Sequence, residues 1–527
     1  MFVEKKSVPG GDMTVEVSEL GAETAKSGVV FLAGKLGGGI ATLLTLVFLA
    51  RFLQPAQFGI YVIAVAFYTL VGIGGVFGIG TALRKKLPEL GNSERSCRLI
   101  SSGIAITTLI ASVLAVLAFL FSGVIATNVY HNQSVAIPLA IAAIVIFLTV
   151  PYNLVLAISV GSGLVNEGAI GNISYAGSQL LFIVALVLLG YGVSGALIGT
   201  ALSLVVGTVV QLFYLYARRI RLLAMPTRKA ITELTAFSIP MVVSHVATLG
   251  AVNFAVLLLG VFATTTVVGN YGAAAKLGNL VTLILASNTF VLLPAFSKVL
   301  SKGELAAKMG AAYNRSIHYT LLFLLPLLAY LVSVSTPLLG IFFSRAYSLA
   351  PFYFSVIVIG TVIGIIGNYG GTLLIGYGDT KKFMKYQVLA VVIQVVLLLA
   401  LTPYLKVDGV LLALFVLSPV FLDLIYIHAL EEQFRFKHTF RKPVLVALVS
   451  VLIGALMFGV TVFLHQSRYA IIIDAVLALL LFPPLLAASK GIDRGDIKFI
   501  ERVGSRLKML TPLIRAIVGY AERFSRE

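Results

Sequence analysis

Long apolar segments, each of about 20 residues, recur about fourteen times along the chain, and this repetition constrains its fold more than any other feature. A helix of that length can cross the hydrocarbon core of a bilayer. Because 59% of the 527 residues are hydrophobic and only 11% are charged, a soluble domain is excluded. The sequence therefore predicts an all-α, polytopic membrane protein. The predicted spans cover residues 28–50, 58–80, 99–125, 136–159, 170–190, 194–217, 234–262, 267–294, 315–339, 352–376, 384–402, 408–430, 443–464 and 469–488.

Basic residues lie almost entirely on one side of these predicted spans. Of the 39 Lys and Arg residues, only Arg51, Arg345, Lys406 and Arg468 fall on the opposite side. Short cytoplasmic loops carry the excess of Lys and Arg in membrane proteins, so we expect both termini to be cytoplasmic and the protein to lie in the cell membrane. The same rule explains the net charge of +18. No nucleic-acid partner is therefore expected.

Short motifs recur at an offset of about 210 residues and indicate an internal duplication. Gly59-Ile-Tyr61 near the start of the second span is echoed by Gly269-Asn-Tyr271 in the eighth. Gly195-Ala-Leu197 is echoed in the same way by Gly409-Val-Leu411. Spans one to six and seven to twelve are therefore equivalent halves with the same orientation. This pattern predicts two six-helix bundles around a central cavity, followed by two extra C-terminal spans.

The predicted organisation has six parts. The last part has apolar residues at helical spacing among basic ones, which is typical of a helix lying on an anionic leaflet. A helix that docks a partner protein is the alternative for this tail. The parts are a cytoplasmic N-terminal tail (1–27), an N-lobe (28–218), a cytoplasmic linker (219–233), a C-lobe (234–430), a cytoplasmic loop with spans 13 and 14 (431–488) and a basic amphipathic tail (489–527).

Six stretches of the chain carry a family resemblance. They are RFLQPAQFGIY (51–61), GIGTALRKK (78–86), FSIP (237–240), VVGNYGAAAKLGNLVTLILASNTFVLLPAFSKVL (267–300), SIHYTLLFLLPLLAYLV (316–332) and FFSRAY (342–347). Together they resemble the polysaccharide-exporter branch of the MATE-like MOP superfamily, which includes oligosaccharide flippases and lipid II flippases. Val76 stands where an acidic residue often ends the second span in that branch, so no role of such an acid is transferred.

The resemblance implies a flippase that translocates a lipid-linked oligosaccharide through a cavity while the lipid tail stays in the bilayer. The carrier would be a polyprenyl or dolichyl phosphate or diphosphate. Membrane lipids, and glycosyltransferases or a polymerase of the same pathway, would be its partners. No cofactor or metal is expected, and the flippase would not be an enzyme.

Two lysines lie within predicted spans, Lys35 in the first and Lys276 in the eighth. A lysine in a span is costly and normally faces a protein interior or a watery cavity. Lys276 lies about nine residues into its span, or ~14 Å, and is therefore near the midplane. Lys35 lies closer to the surface, so its side chain could instead reach the cytoplasmic interface. Both are predicted to bind the anionic part of the substrate.

Polar side chains share faces with these lysines or lie on the seventh span. Thr42 follows Lys35 at helical spacing, and Asn279 follows Lys276. Helix-packing seams are the alternative explanation for such stripes, and a packing role is the alternative for His245. The complete predicted substrate-binding set is Lys35, Thr42, Arg51, His245, Asn253, Lys276 and Asn279.

Asp423 is an acidic residue within the twelfth span. It could bind a coupling proton or sodium ion, or it could pair with a basic neighbour. Carboxylates outside the membrane are too scarce for a polytopic glycosyltransferase, so no catalytic residue is predicted. Two alternatives to the flippase stay open at this stage. They are a multidrug efflux transporter, which would need acids rather than lysines in its cavity, and a membrane-embedded enzyme or scaffold of glycan assembly.

Overall fold

The computed structural model describes residues 37–76, 78–245, 250–282, 306–434 and 436–489, with short pieces at 491–493, 495–496 and 501. Within these ranges the regular structure is helical and contains no strand, which confirms the all-α prediction. Helices satisfy their own backbone groups, as hydrocarbon requires. In chain order they are α1 (Gly37–Phe52), α2 (Pro55–Val76), α3 (Ile79–Leu90), α4 (Glu94–Val124), α5 (Ala136–Gly161), α6 (Val165–Leu186), α7 (Gly192–Ala217), α8 (Arg228–His245), α9 (Ala251–Phe262), α10 (265–282), α11 (Ala306–Ser333), α12 (Ser335–Phe342), α13 (Ala350–Ile363), α14 (Ile365–Tyr377), α15 (Thr380–Leu405), α16 (Val407–Leu412), α17 (Ser418–Phe434), α18 (Arg441–Phe463) and α19 (Tyr469–Ala488).

Nine helical runs in the described ranges are long and apolar enough to cross a membrane, and the bent pair α13–α14 brings the number to ten. One run, Val165–Ala217, holds both α6 and α7. It is interrupted at Gly190, whose φ of 91° lies in the left-handed region that glycine adopts readily. The break coincides with the predicted boundary between spans five and six. The polytopic membrane fold is confirmed, and the number fourteen stays a prediction.

The chain forms two compact units. Unit 1 takes its residues from the ranges up to Phe52 and Ala64–Val246, and unit 2 from Leu53–Ile63 and the ranges after Ala247. Helix α8 therefore belongs to unit 1, although the sequence places it at the start of the C-lobe. The predicted boundaries of the lobes and the linker stay a prediction. Most of the predicted amphipathic tail lies outside the described residues.

Apolar packing and ion pairs hold α8 in unit 1. Leu234 is fully buried in a cluster with Leu83 of α3. Glu233, its neighbour, accepts hydrogen bonds from Lys86 of α3 and Arg95 of α4. The hydrogen bond from Lys86 lowers the pKa of Glu233. The carboxylate is therefore charged at neutral pH and ties the ends of three helices together.

The duplicated glycine motif forms a reciprocal helix crossing within unit 2. A Cβ on Gly59 of α2 would overlap the carbonyl oxygen of Thr265, and a Cβ on Gly269 of α10 would overlap the carbonyl oxygen of Pro55. The two contacts are equivalent, because Gly59 and Gly269 are 210 residues apart and so are the residues that they contact, Pro55 and Thr265. Only glycine permits so close an approach of two helix backbones. The steric requirement for glycine at both positions therefore explains why the motif is repeated in the sequence.

Helices α18 and α19 pack on α11 around a buried carboxylate. Asp474 of α19 is fully buried, and its Oδ2 accepts hydrogen bonds from Ser333 Oγ (3.1 Å) and Thr461 Oγ1 (2.7 Å). The Tyr330 hydroxyl of α11 also donates to the carbonyl of Ile471 (3.1 Å). Polar side chains that bond across helices add to packing in a bilayer, where apolar contact alone gives little preference. These bonds dock the last two helices of unit 2.

Replacing Gly269 by Ala should destabilise the protein, because the new methyl group would overlap a backbone carbonyl that cannot move alone. Overpacking of this kind costs about 1–3 kcal/mol. Gly340→Ala in α12 is the matched control, since a Cβ at Gly340 meets nothing within 4 Å. Thermal unfolding of the detergent-solubilised variants measures both effects. Equal midpoints for the two variants would contradict the reciprocal crossing.

Candidate substrate-binding site

Helix α1 presents Thr42 on an exposed face of unit 1. The Thr42 Oγ1 donates a hydrogen bond to the carbonyl of Gly38 one turn earlier (2.9 Å), and its oxygen can still accept another. At Gly38 itself a Cβ would meet Asn172 Nδ2 of α6 at 3.2 Å, so the two helices pack closely there. Lys35, which the sequence predicts on the same span, lies outside the described residues.

Lys276 projects from the middle of α10 in unit 2. It lies about 11 residues along the described helix, or ~17 Å. Lys276 and Asn279 are exposed, whereas Tyr271 and Leu277 are buried. Within the described residues Lys276 forms no ion pair. Lys276 therefore lies on an exposed face of α10, one turn from the amide of Asn279, and its depth in the membrane stays a prediction.

The other predicted binding residues lie on α8, α9 and α1. His245 is the last described residue of α8, and its side chain lies outside the described part of the structure. Asn253 is half-buried in the first turn of α9 in unit 2. Arg51 is exposed near the end of α1 in unit 1. The predicted set is thus divided between the two units, and its joint role stays a prediction.

Asp423 of α17 lies beside a break in a membrane-spanning pair. Helices α13 and α14 meet at an angle of 41°, with Gly364 between them. The buried Asp423 accepts a hydrogen bond at Oδ1 from the backbone N–H of Gly367 (2.7 Å). That amide is one of the first N–H groups of α14, which have no partner within their own helix. The carboxylate therefore replaces a missing helical hydrogen bond.

Two tyrosines complete the surroundings of this break. The buried hydroxyl of Tyr313 on α11 donates to the carbonyl of Ile366 (2.9 Å). Tyr426, one turn after Asp423, is buried against Gly370 of α14. Among the described residues Asp423 forms no ion pair, so its partner there is a backbone amide rather than the basic neighbour that the sequence allowed.

A further polar face in unit 1 was missed by the sequence prediction. Asn172, Tyr175 and Gln179 recur on one side of α6 at steps of three and four residues. The Tyr152 hydroxyl of α5 donates to Asn172 Oδ1 (3.1 Å), and Gln179 Nε2 donates to the Tyr175 hydroxyl (3.0 Å). The rings of Tyr152 and Tyr175 lie 4.9 Å apart. The spacing on α6 is a signal that could have identified this face.

These groups suit a polar or anionic solute. Phenol hydroxyls and amides both donate and accept hydrogen bonds, as the hydroxyl groups of a sugar do. An exposed ammonium group attracts phosphate. The hydroxyl, amide and ammonium groups of the two units can therefore bind such a solute through hydrogen bonds and charge.

The profile of the family described as "Polysaccharide biosynthesis protein" matches residues 48–350, which is more than half of the chain. The chain belongs to this family. The family membership expected from the sequence motifs is confirmed.

Individual proteins and solved structures are also similar to this family member. The probable low-salt glycan biosynthesis flippase Agl15 of Haloferax volcanii is 26% identical over 337 residues, which are 63% of this chain and 67% of that protein. The lipid II flippase MurJ in an inward closed conformation superposes with a TM-score of 0.68 at 16% identity, covering 87% of this chain and 98% of MurJ. An inward-facing multidrug resistance MATE transporter of the MOP superfamily gives 0.63 at 15% identity, covering 77% and 98%. These structures share the fold.

Asp423 variants should separate its hydrogen bond from its charge. Asp423→Asn keeps an acceptor oxygen for the Gly367 N–H, so we expect it to fold like the wild type. Asp423→Leu leaves that buried amide without a partner, which should lower the free energy of unfolding by about 1–3 kcal/mol. Thermal unfolding compares both with the exposed control Asp408→Leu. A wild-type midpoint for Asp423→Leu would show that the carboxylate does not support the break.

Proposed function

We propose that this protein is a flippase that moves a lipid-linked oligosaccharide from the cytoplasmic to the outer leaflet of the cell membrane. The carrier lipid is a polyprenyl or dolichyl phosphate or diphosphate, and the product serves surface polysaccharide or protein glycosylation. The observation that carries the proposal is Lys276, exposed halfway along an apolar helix with no ion pair among the described residues. The family and the similarity to a probable glycan flippase support it.

The phosphate group of the carrier explains why a lysine is needed at this depth. A charged group loses a large hydration free energy when it enters hydrocarbon, far more than a neutral polar group loses. An ammonium group facing a hydrated cavity offsets that loss where it is greatest. Lys35 of the other half would receive the anion in turn as the lobes alternate their access.

The sugar head would use the polar face of unit 1. Asn172 offers an amide group and Tyr175 a hydroxyl, and both side chains are half-buried. The buried Tyr152 and Gln179 hydrogen-bond to these two residues and hold them in position. Such groups exchange their hydrogen bonds with sugar hydroxyls at little cost. Thr42, on the helix packed against Asn172, extends this face. The lipid tail stays in the bilayer throughout.

Multidrug efflux is the second candidate, and the likeness to a MATE transporter favours it. An organic cation would be repelled by the charge of Lys276 and attracted by a carboxylate. Asp423 is such a carboxylate, yet it is buried and already bonded to a backbone amide. The charge of the exposed group therefore favours an anionic substrate.

Asp423 has a different proposed role in the same cycle, the binding of a coupling proton or sodium ion. Transporters coordinate such ions where a spanning helix is broken. We propose no catalytic residue and no cofactor for the protein, in contrast to a glycan-assembly enzyme or scaffold. Glycosyltransferases or a polymerase of the same pathway would supply and consume its substrate.

Lys276→Ala should leave the protein folded but abolish flipping of a lipid-linked oligosaccharide in reconstituted vesicles, because the phosphate loses its counter-charge. Lys276→Arg should retain part of the rate, and Lys35→Ala should have a smaller effect than Lys276→Ala. Lys381→Ala, which removes another exposed lysine at the start of α15, is the control and should flip at the wild-type rate.

A wild-type rate for Lys276→Ala would refute the role of this lysine. Export of an organic cation by the wild type, with no flipping of the glycolipid, would favour the efflux transporter instead.

The proposed orientation can be tested with single cysteines. The native Cys97 is buried, so it is replaced by Ser, and Glu94→Cys or His131→Cys is added at an exposed position. The charge distribution places Glu94 inside and His131 outside. A membrane-impermeant maleimide applied to intact cells should label the cysteine at 131 only, and a permeant one should label both. Impermeant labelling at 94 alone would invert the topology.

A further inference from the structure

A basic pocket of about 520 Å³ lies where α11 passes the start of α18 in unit 2. Residues of α11, the segment 439–443 and the first described residues after α19 line it. Its cationic side chains are Arg315, Arg441 and Lys442, and His318 lies beside them. Both helices belong to runs that can span the membrane, so the pocket lies at the level where spans meet the aqueous phase.

The two carboxylates of the pocket are occupied by one of these cations. Lys442 donates hydrogen bonds to both Asp493 and Asp496. Burial favours a raised pKa for Asp496, but the hydrogen bonds from His318, the Asp493 N–H and Lys442 outweigh it and hold the pKa well below its usual range. Asp496 therefore stays anionic at neutral pH. The charge of Lys442 is neutralised within the protein.

Arg315 and Arg441 are the two cationic side chains of the pocket that do not bind its carboxylates. Both side chains are exposed, and neither forms an ion pair with any residue that the structure describes. A guanidinium group offers two parallel N–H donors that match the oxygens of a phosphate. The pocket can therefore hold a phosphate with two arginines.

An apolar groove of about 540 Å³ follows the same two helices further along. Residues of α11, α13 and α18 line it with carbon atoms almost exclusively. Val451 and Phe458 on one wall are 70% and 51% exposed, so the groove is open along its side. Such a surface suits a hydrocarbon chain that enters sideways from the bilayer.

The pocket and the groove share one face of α11. His318 lines the pocket, and Leu325 and Val332 line the groove at successive steps of seven residues, which return to the same side of a helix. Seven residues correspond to ~10 Å of helix. On α18 the groove begins at Ala447, about 9 Å along the helix from Arg441, and Val451 lies about 15 Å along it, which equals the hydrocarbon thickness of one leaflet. A lipid with its head in the pocket can therefore place an acyl chain in the nearer part of the groove.

We propose that the pocket and the groove bind one anionic phospholipid of the surrounding bilayer, with its phosphate between Arg315 and Arg441 and an acyl chain in the groove. The ligand is a resident lipid and not the transported molecule, because Lys276, the proposed phosphate site of the transported lipid, lines neither the pocket nor the groove. The cytoplasmic leaflet supplies anionic lipids, in agreement with the proposed orientation. The bound lipid joins α11 and α18 to the segment that carries Asp496.

Native mass spectrometry and thermal unfolding of the delipidated full-length protein test this site. The probes are dioleoylphosphatidylglycerol, dioleoylphosphatidylcholine and glycerol phosphate, so that charge and acyl chains are varied separately. We expect the phosphatidylglycerol alone to form a one-to-one adduct and to raise the unfolding midpoint. An equal adduct with phosphatidylcholine would refute the role of the charge, and equal stabilisation by glycerol phosphate would refute the role of the groove.

Variants locate the adduct. Arg315→Ala with Arg441→Ala should weaken phosphatidylglycerol binding about tenfold or more, and the double Lys variant should restore part of it. Ala455→Phe, which fills the groove, should weaken binding with both arginines intact. Arg468→Ala, before α19 at the other end of the helix pair, is the control and should bind like the wild type. Unchanged binding by the double Ala variant would overturn the proposal, whatever the result of the flipping assay.

Discussion

The need to satisfy every backbone polar group in hydrocarbon governs the structure of this protein. Unbroken helices meet that need by themselves, so the described chain is built from them. At the break between α13 and α14, Asp423 supplies the bond that the Gly367 N–H lacks, and the Tyr313 hydroxyl adds a hydrogen bond to the neighbouring carbonyl of Ile366. The polar groups around the α13–α14 break are thus a structural necessity first, and a proposed coupling site only because of it.

Association of the helices follows from a second aspect of the same environment. Lipid tails are as apolar as leucine, so burial of aliphatic side chains gives helices little reason to choose one another. Close backbone contact at Gly59 and Gly269, and hydroxyl bonds to Asp474, provide that choice in unit 2. Within the described residues, the exposed Lys276 forms no ion pair that would hold two helices together. A side chain that does not take part in helix packing is the better candidate for binding a substrate.

Features that depend on local sequence were predictable, and those that depend on distant partners were not. The spans, the break near Gly190 and the glycine motifs follow from hydrophobicity, turn chemistry and repetition. The face of Asn172 on α6 follows from spacing alone. The partner of Asp423 lies 56 residues away, and Lys86, which anchors α8 through Glu233, lies 147 residues away. A single sequence does not reveal those pairs. The role of the Asp423 carboxylate and the assignment of α8 to unit 1 could therefore be found only from the structure.

The reciprocal crossing of α2 and α10 bears on the origin of the chain. Because each copy of the glycine motif packs on the other copy, the contact is self-complementary, as in a two-fold symmetric dimer. A protein of half this length with a single copy could have formed the same contact between two separate molecules. Gene fusion would then have kept an existing interface and freed each half to diverge. Lys276 in one copy and the polar face of α6 in the other would be products of that freedom.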